Sequence, residues 1–127
     1  MKSEAAAYLE KARQFLAKAR GMLTQGWPDE AGRAAYLAGF HAAQAFIFER
    51  NGKTPKTHSG VQTEFARHLK DNTEFPLVLR RFLGRTYTLK EIADYETGPA
   101  ATVSVAEAET ALEAASAFVD AVEALIA

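Results

Sequence analysis

One segment carries residue types that could do chemistry. The sequence Pro-Lys-Thr-His-Ser-Gly at 55–60 places an imidazole between two hydroxyl groups, just before a run with helical periodicity. Thr57 or Ser59 is a suitable helix N-cap, because its side-chain oxygen can accept a hydrogen bond from a free first-turn amide. This favoured interpretation leaves His58 exposed at the helix start. Alternatively, Lys56, His58 and the first-turn amides form a small anion site, although the segment lacks the glycine-rich loop of a phosphate cradle.

A second candidate group lies on the helix predicted for residues 29–50. Arg33, His41 and Gln44 are the only strongly polar side chains between positions 31 and 48. At about 100° per residue they lie within about 80° of one another. An unpaired buried polar group would cost about 1 to 3 kcal/mol, so these groups must be hydrogen bonded or reach solvent. The favoured interpretation is a hydrogen-bonded core histidine with Arg33 extending to solvent. The alternative is a polar strip that lines a cleft or an oligomer surface.

The other titratable groups give weaker evidence for a functional site. The three histidines are isolated, with no His-Glu-x-x-His pattern and no carboxylate at ligand spacing, so no metal site and no cofactor are expected. Arg80, Arg81 and Arg85 could contact RNA phosphates. However, 15 basic and 16 acidic side chains give a formal net charge of −1, so there is no overall field that attracts nucleic acid.

The composition is typical of one soluble domain. With 127 residues, of which 48% are hydrophobic, the chain can bury roughly two-thirds of its unfolded surface, and we expect a single domain over residues 1–127. The sequence contains no cysteine, which excludes disulfides and thiolate sites. No stretch resembles a signal peptide or a membrane span of about 18 to 20 residues, so we expect a cytoplasmic protein without membrane contact.

Periodicity and capping residues predict five helices that position these groups. Apolar residues recur at steps of three and four, and Ser3 and the Ser104–Glu107 pair are suitable N-caps. The helix that carries the polar strip is apolar on nearly every face, so the others should surround it. The predicted ranges are Ser3–Thr24, Asp29–Arg50 with a stop at Asn51 and Gly52, a third helix from about Thr57, Phe75–Asp94, a loop over 96–102 and Ser104–Ile126. The fold class is all-α, an up-and-down bundle of four to five helices.

The string AAYLAGFHAAQAFIFERNGKTPKTHSGVQTEF is followed by a helix that ends in Ala-Asp-Tyr and by a last amphipathic helix. This arrangement, over about Ala31–Ala127, resembles the small bacterial and archaeal HEPN (higher eukaryotes and prokaryotes nucleotide-binding) domain proteins. The resemblance implies a four- to five-helix bundle that commonly dimerises. It also implies a gene often encoded beside a minimal nucleotidyltransferase, as a toxin–antitoxin-like pair. Some members are metal-independent ribonucleases.

The ribonuclease members carry an arginine, about four to six intervening residues and then a histidine, often with a tyrosine two residues beyond, where two protomers meet. Here no arginine stands at that distance before any histidine, and Arg33 to His41 and Arg50 to His58 each enclose seven residues. No catalytic residue is therefore predicted, although His58 and His41 stay open as candidates.

The Ala-Asp-Tyr triplet likewise indicates that the ribonuclease motif is absent. If Tyr95 is the motif tyrosine, Ala93 and Thr88 stand at the histidine and arginine positions. Neither can transfer a proton or stabilise the charge on a scissile phosphate. A related subgroup without ribonuclease activity often has an arginine three residues before its Ala-Asp-Tyr. Lys90 stands there in this chain, and it keeps the charge but lacks the planar fork of arginine.

Asp94 and Tyr95 end the fourth predicted helix and need partners. We expect a structural clasp, in which Asp94 holds a neighbouring cation or imidazole and Tyr95 offers its hydroxyl to the polar strip or to a partner protein. The possible partners of Asp94 are His58, Lys90 and Arg85. Phosphate or nucleotide binding is the alternative, and its candidate residues are Lys56, His58, Ser59, Arg85 and Lys90.

The sequence and the resemblance together predict a non-catalytic HEPN-like binding protein. It is expected to form a homodimer, to use no cofactor and to act with a nucleotidyltransferase partner in a toxin–antitoxin-like system. Two alternatives stay open. One is a divergent ribonuclease with His58 or His41 as base and Arg85 or Arg33 holding the phosphate, and the other is a nucleotide-binding sensor.

Overall fold

The computed structural model describes residues 1–98 and 102–127. Within these ranges it contains five α-helices, one short 3₁₀ helix and no β-strand, so the predicted all-α bundle is confirmed. The α-helices are α1 (Ser3–Thr24), α2 (Pro28–Asn51), α3 (His58–Leu69), α4 (Phe82–Tyr95) and α5 (Val105–Ile126), and the 3₁₀ helix is Leu77–Leu79. The loop predicted over 96–102 includes residues 99–101, which lie outside the described residues. No helix in the described ranges is both long and apolar enough to cross a bilayer.

The helix α2 is central, and the other four α-helices all pack against it. Every residue from Ala34 to Phe40 and from Ala42 to Ile47 is buried. Its alanines let the neighbouring backbones approach closely, and a helix that is apolar on all sides is stable in water only when other elements surround it. Gly52 ends α2 at a φ of 73°, the left-handed conformation that glycine adopts at little cost. The predicted central position and the glycine stop are both confirmed.

The helices α1 and α5 each bury one face against the rest of the bundle. Buried positions of α1 recur every three or four residues, at Ala5, Leu9, Ala12, Leu16 and Ala19. On α5, the ring of Phe118 stacks on Phe82 of α4, with 4.9 Å between the ring centroids. Arg13 of α1 pairs with Asp120 at 2.8 Å and with Glu123 at 3.0 Å. Because these ion pairs are largely exposed, they stabilise the fold by at most about 1 kcal/mol each.

The two predicted serine caps have different outcomes. Lys2, rather than Ser3, occupies the N-cap position of α1, and its side chain makes no capping hydrogen bond. Ser3 Oγ instead donates to the Glu4 carboxylate at 2.7 Å, so the Ser3 cap prediction is wrong because a nearby carboxylate took its hydroxyl. At α5 the capping box is confirmed. Ser104 Oγ accepts from the Glu107 amide at 3.0 Å, and Glu107 Oε1 accepts from the Ser104 amide at 3.1 Å.

The start of the fourth helix is also different from the prediction. Asn72 Oδ1 accepts hydrogen bonds from the amides of Glu74 at 2.8 Å and Phe75 at 3.2 Å, which hold this segment in a turn. Pro76 then disfavours helix in the residue before it and has no amide to donate. A helix start at Phe75 is therefore wrong, and α4 begins at Phe82 after the 3₁₀ helix.

Gly39 on α2 sets how closely α4 approaches. A Cβ added at Gly39 would lie 2.9 Å from Phe82 Cδ2, closer still to Cε2 of that ring, and 3.3 Å from Leu83 Cδ2. We predict that Gly39→Ala lowers the free energy of unfolding by about 1–3 kcal/mol through overpacking. Gly21→Ala is the matched control, since a Cβ there meets nothing within 4 Å, and it should raise stability by about 0.5–1 kcal/mol. Urea unfolding measures both, and equal effects of the two substitutions would contradict the prediction.

Candidate functional site

The 55–60 segment is organised by the cap of α3. Thr57 Oγ1 accepts from the Gly60 amide at 3.0 Å, which confirms Thr57 as the N-cap. Gly60 also fits closely against the preceding proline, since a Cβ added there would lie 2.8 Å from both Pro55 Cβ and Thr57 Oγ1. The prediction of an exposed His58 is wrong. Its side chain is half-buried, and its ring centroid lies 4.5 Å from that of Phe40 on α2, because the capped first turn directs it at α2.

A buried tyrosine on α2 holds the imidazole. Tyr36 Oη lies 2.8 Å from His58 Nδ1, and Gln62 Nε2 donates to the same oxygen at 3.4 Å. Tyr36 is 0% exposed, so its single hydroxyl hydrogen needs an acceptor inside the protein. Because the Gln62 amide nitrogen is a donor, the acceptor is His58 Nδ1. From this network we assign the proton of neutral His58 to Nε2.

The electrostatic environment favours the same protonation state. Burial lowers the pKa of His58 below its ordinary value, and the positive charge of Lys90 lowers it further, against the opposing effect of Glu91 and Asp94. Burial raises the pKa of Tyr36 to about 12, so this hydroxyl keeps its proton at neutral pH. His58 is therefore neutral at pH 7, with Nδ1 as an acceptor and Nε2 as a donor.

Asp94 binds two cations from different helices. Its carboxylate lies 2.8 Å from Lys90 Nζ on the same helix and 2.8 Å from Arg33 Nε on α2. The Lys90 side chain is only 10% exposed. Burial acts to raise the pKa of Asp94, but the hydrogen bonds and charges of Lys90 and Arg33 outweigh it and lower the pKa. The hydrogen bond that Lys90 donates to Asp94 in turn raises the pKa of Lys90. The arrangement clasps α4 to α2.

Two tyrosine rings complete the cluster. Lys90 Nζ lies 5.9 Å from the ring centroid of Tyr87 and 5.2 Å from that of Tyr95. Tyr87 also contacts the His58 ring, at 5.6 Å between centroids. Tyr95 is 69% exposed, so it presents an aromatic face to solvent beside a lysine. Its ring, rather than the hydroxyl considered from the sequence, makes the contact with the cluster.

The polar strip of α2 divides into two separate sets of contacts. His41 Nδ1 lies 2.8 Å from Gln44 Oε1, and the imidazole stacks on Phe15 of α1 at 5.4 Å between centroids. Burial lowers the pKa of His41, although the Gln44 amide oxygen partly offsets the effect. Arg33 turns instead to Asp94. The three residues therefore do not line one cleft, and His41 is a hydrogen-bonded histidine in an aromatic environment.

The candidate phosphate residues do not converge. His58 and Lys90 lie in one cluster, since both contact the ring of Tyr87. The others have their own places: Lys56 and Ser59 are exposed at the start of α3, and Arg85 is exposed beside a groove between α4 and α5.

Sequence reasoning missed Tyr36 and Tyr87 as site residues. The signal for Tyr36 was present, because a phenol in an otherwise apolar and fully surrounded helix must find a partner for its hydroxyl. For Tyr87 there was no such signal. Its contact with His58 depends on how α4 is rotated against α3, and no local pattern encodes that rotation.

Comparisons with known proteins agree with this architecture. The HEPN domain model matches residues 5–125. The Methanocaldococcus jannaschii protein named "Putative toxin MJ0605" is 29% identical over 120 residues, which cover 94% of this chain and 87% of that protein. Another protein of that organism, "Putative toxin MJ0142", is 26% identical over 108 residues, 85% of this chain and 70% of that protein. The crystal structure of TT1696 from Thermus thermophilus has a TM-score of 0.82 at 27% identity, covering 97% of this chain and 98% of that one.

The class of protein is therefore an all-α bundle whose fold a solved structure shares along nearly the whole chain. The particular family follows from the domain model, which spans all five α-helices. The chain belongs to the HEPN family.

The clasp predicts an asymmetry between its two partners. Asp94→Asn leaves the buried ammonium of Lys90 without a counter-charge, so we expect a loss of about 1–3 kcal/mol in the free energy of unfolding. Lys90→Met removes the charge but keeps the packing of the methylene stem, so its loss should be clearly smaller. Glu96→Gln, at an exposed acid just beyond α4, is the control. Urea unfolding at pH 7 gives all three values, and a larger loss for Lys90→Met than for Asp94→Asn would refute the clasp.

The lowered pKa values of His41 and His58 predict a pH dependence of stability. Below about pH 6.5 the unfolded chain binds protons at these positions that the folded chain does not bind, so the free energy of unfolding falls with falling pH. Carboxylates with lowered pKa contribute only at lower pH, near and below about 4.5. His58→Gln should therefore flatten the slope between pH 7 and about 5, and Ser59→Ala should leave it unchanged. A wild-type free energy of unfolding that stays constant or increases as the pH falls from 7 to about 5 would be inconsistent with neutral, buried histidines.

Proposed function

We propose that this chain is the HEPN component of a toxin–antitoxin-like pair and that it acts by binding, without ribonuclease chemistry of its own. The word toxin in the names of both Methanocaldococcus jannaschii relatives supports the first part. The family resemblance supplies the expected partner, a minimal nucleotidyltransferase, and the expected assembly, a homodimer. The geometry around His58 supports the non-catalytic part.

The observation that carries this proposal is the hydrogen bond from Tyr36 to His58 Nδ1. A general base needs an unprotonated nitrogen within reach of the proton that it removes. In neutral His58 the Nδ1 lone pair is occupied by a buried hydroxyl, and Nε2 carries the proton. The imidazole is therefore arranged to donate a hydrogen bond, and it has no free lone pair with which to activate a ribose hydroxyl.

The charge of the cluster supports the same conclusion. Arg33 and Lys90 contribute two positive charges, and Asp94 and Glu91 contribute two negative ones, so their formal sum is zero. Cleavage of a phosphodiester develops negative charge on oxygen, and enzymes stabilise that charge with donors or cations that are free to reach it. Here both cations are bound to Asp94. The cluster is suited to holding helices together and to contacting a partner.

Two measurements test the proposal, one on the co-expressed pair and one on the purified chain alone. Co-expression with a nucleotidyltransferase encoded beside the gene, followed by size-exclusion chromatography, should give co-elution of the two chains. The purified chain should not cleave RNA at any protein concentration, and His58→Ala should behave like the wild type. The proposal fails if the chains never co-elute, or if RNA is cleaved and either His58→Ala or His41→Ala abolishes the cleavage. Ser59→Ala, an exposed neighbour of His58, controls for effects on folding.

Nucleotide binding is a second candidate function, and one observation favours it. The exposed ring of Tyr95 beside Lys90 could stack on a base while the ammonium group lies nearby. Titration calorimetry of the same preparation with ATP, GTP and AMP separates the two functions. Heat of binding that Tyr95→Ala removes would favour the sensor, whereas the binding-protein proposal predicts no heat at high micromolar nucleotide.

A further inference from the structure

Three arginines line an open pocket of about 420 Å³ between α3 and α4, at the opposite end of α4 from Lys90 and Asp94. The lining includes Phe65 and Ala66 from α3, and Arg80, Arg81, Leu83 and Arg85 from the start of α4. Within the part of the chain that the structure describes, no acidic residue lines this pocket. The pocket is therefore a local concentration of positive charge on a chain whose formal net charge is −1.

The three arginines have different roles. The guanidinium group of Arg80 closes the end of α3, because it donates to the Leu69 carbonyl at 3.0 Å and also to the Asn72 carbonyl. Arg81 and Arg85 are both exposed, and within residues 1–98 and 102–127 neither guanidinium group has a hydrogen bond or an ion pair. These two groups are therefore available for charge-assisted hydrogen bonds to an anionic partner.

Two exposed aliphatic side chains lie directly before the arginines. Leu77 and Val78 of the 3₁₀ helix are 79% and 76% exposed. The Arg80 amide donates to the Leu77 carbonyl at 3.2 Å, so one turn holds the aliphatic pair beside the arginines. Single exposed apolar residues are ordinary on protein surfaces, but an adjacent pair at the edge of a charged pocket gives a partner both apolar and ionic contacts.

This combination favours an acidic protein segment over a nucleic acid. A phosphate backbone would pair with the arginines but would leave the two aliphatic side chains in water, and the net charge of the chain gives no overall attraction for a polyanion. A segment with carboxylates next to aliphatic side chains matches both parts of the surface. Guanidinium groups bind carboxylates in a bidentate geometry, and burial of apolar area adds to the affinity.

We propose that this pocket and the adjoining Leu77 and Val78 form a docking surface for an acidic, aliphatic segment of a protein partner. Arg81 and Arg85 bind the carboxylates, Arg80 holds the turn between α3 and α4 in place, and the aliphatic pair packs on the apolar side chains of the segment. The inference rests on the proposed function in that the chain acts by binding a protein. It adds the face that binds and the chemistry of the segment that is bound.

Fluorescence anisotropy with a labelled peptide of glutamate and leucine, the leucines at helical spacing, tests this surface. The wild type should bind the peptide at least about tenfold more tightly than its glutamine analogue, and added salt should weaken the binding. Arg81→Glu combined with Arg85→Glu should remove this preference, and Leu77→Ser should weaken binding at least about threefold. Lys11→Glu combined with Arg20→Glu, two exposed cations of α1, makes the same change in net charge and should leave the affinity intact.

Thermal unfolding separates a loss of binding from a loss of folding. Arg81 is the N-cap residue of α4, and the first turn of this helix contains no acid. The helix dipole favours negative charge at this end, so Arg81→Glu with Arg85→Glu should keep or raise the unfolding temperature while it removes binding.

The other outcomes overturn the inference. Equal affinity for the glutamate and glutamine peptides excludes an acidic segment as the occupant, as does an equal loss of binding in the α1 control. If an oligouridylate binds more tightly than the peptide, and only the arginine substitutions release it, the pocket belongs to nucleic acid. Co-elution of the wild-type chain with the nucleotidyltransferase is a separate readout, so the docking surface can fail while the proposed function stands.

Discussion

The central constraint in this structure is that α2 is buried at every position from Ala34 to Ile47 except His41, which is half-buried. A helix in this position must be covered on all sides, and α1, α3, α4 and α5 each supply one part of the cover. A polar atom that is fully buried on it must then find its partner within the protein, because water does not reach it. The hydroxyl of Tyr36 is such an atom, and its position determines where the first turn of α3 and the imidazole of His58 can lie. The candidate site is in this sense a consequence of core packing.

The same constraint explains why the charged groups of the cluster are paired with one another. Lys90 is nearly buried and therefore needs a counter-charge, and Asp94 supplies it while also binding Arg33. Each of these three charged groups is thus already bonded to another residue of the cluster. A catalytic site normally keeps such groups free or aims them at the substrate. The architecture depends on α2, whereas any chemistry depends on a few side chains around it, so the fold alone does not determine the function.

Much of the fold could be predicted from the sequence, because periodicity and capping are local signals. The bounds of α1, the capping box of α5 and the glycine stop of α2 all follow from residues within a few positions. The misses depend on competition between neighbours or on distant contacts. Ser3 bonds to Glu4 and does not cap its helix, and Asn72 holds a turn where apolar periodicity predicted helix. The site was predicted only in outline. The Lys90–Asp94 pair on one helix was among the pairings considered and is confirmed. The partners Tyr36 and Arg33 come from another helix, and single-sequence patterns do not specify such pairings.

The close fit of Gly60 against Pro55 and Thr57 gives the segment at 55–60 a different meaning from the one its residue types suggest. The proline, threonine and glycine pack closely in this turn, so a side chain at position 60 requires Pro55 or Thr57 to move. A methyl group at position 60 would push against the proline and the capping hydroxyl together and swing the imidazole away from the phenol. The apparent chemical motif is thus also a close steric fit, and a chain that kept the histidine while losing the glycine would have to shift Pro55 and Thr57.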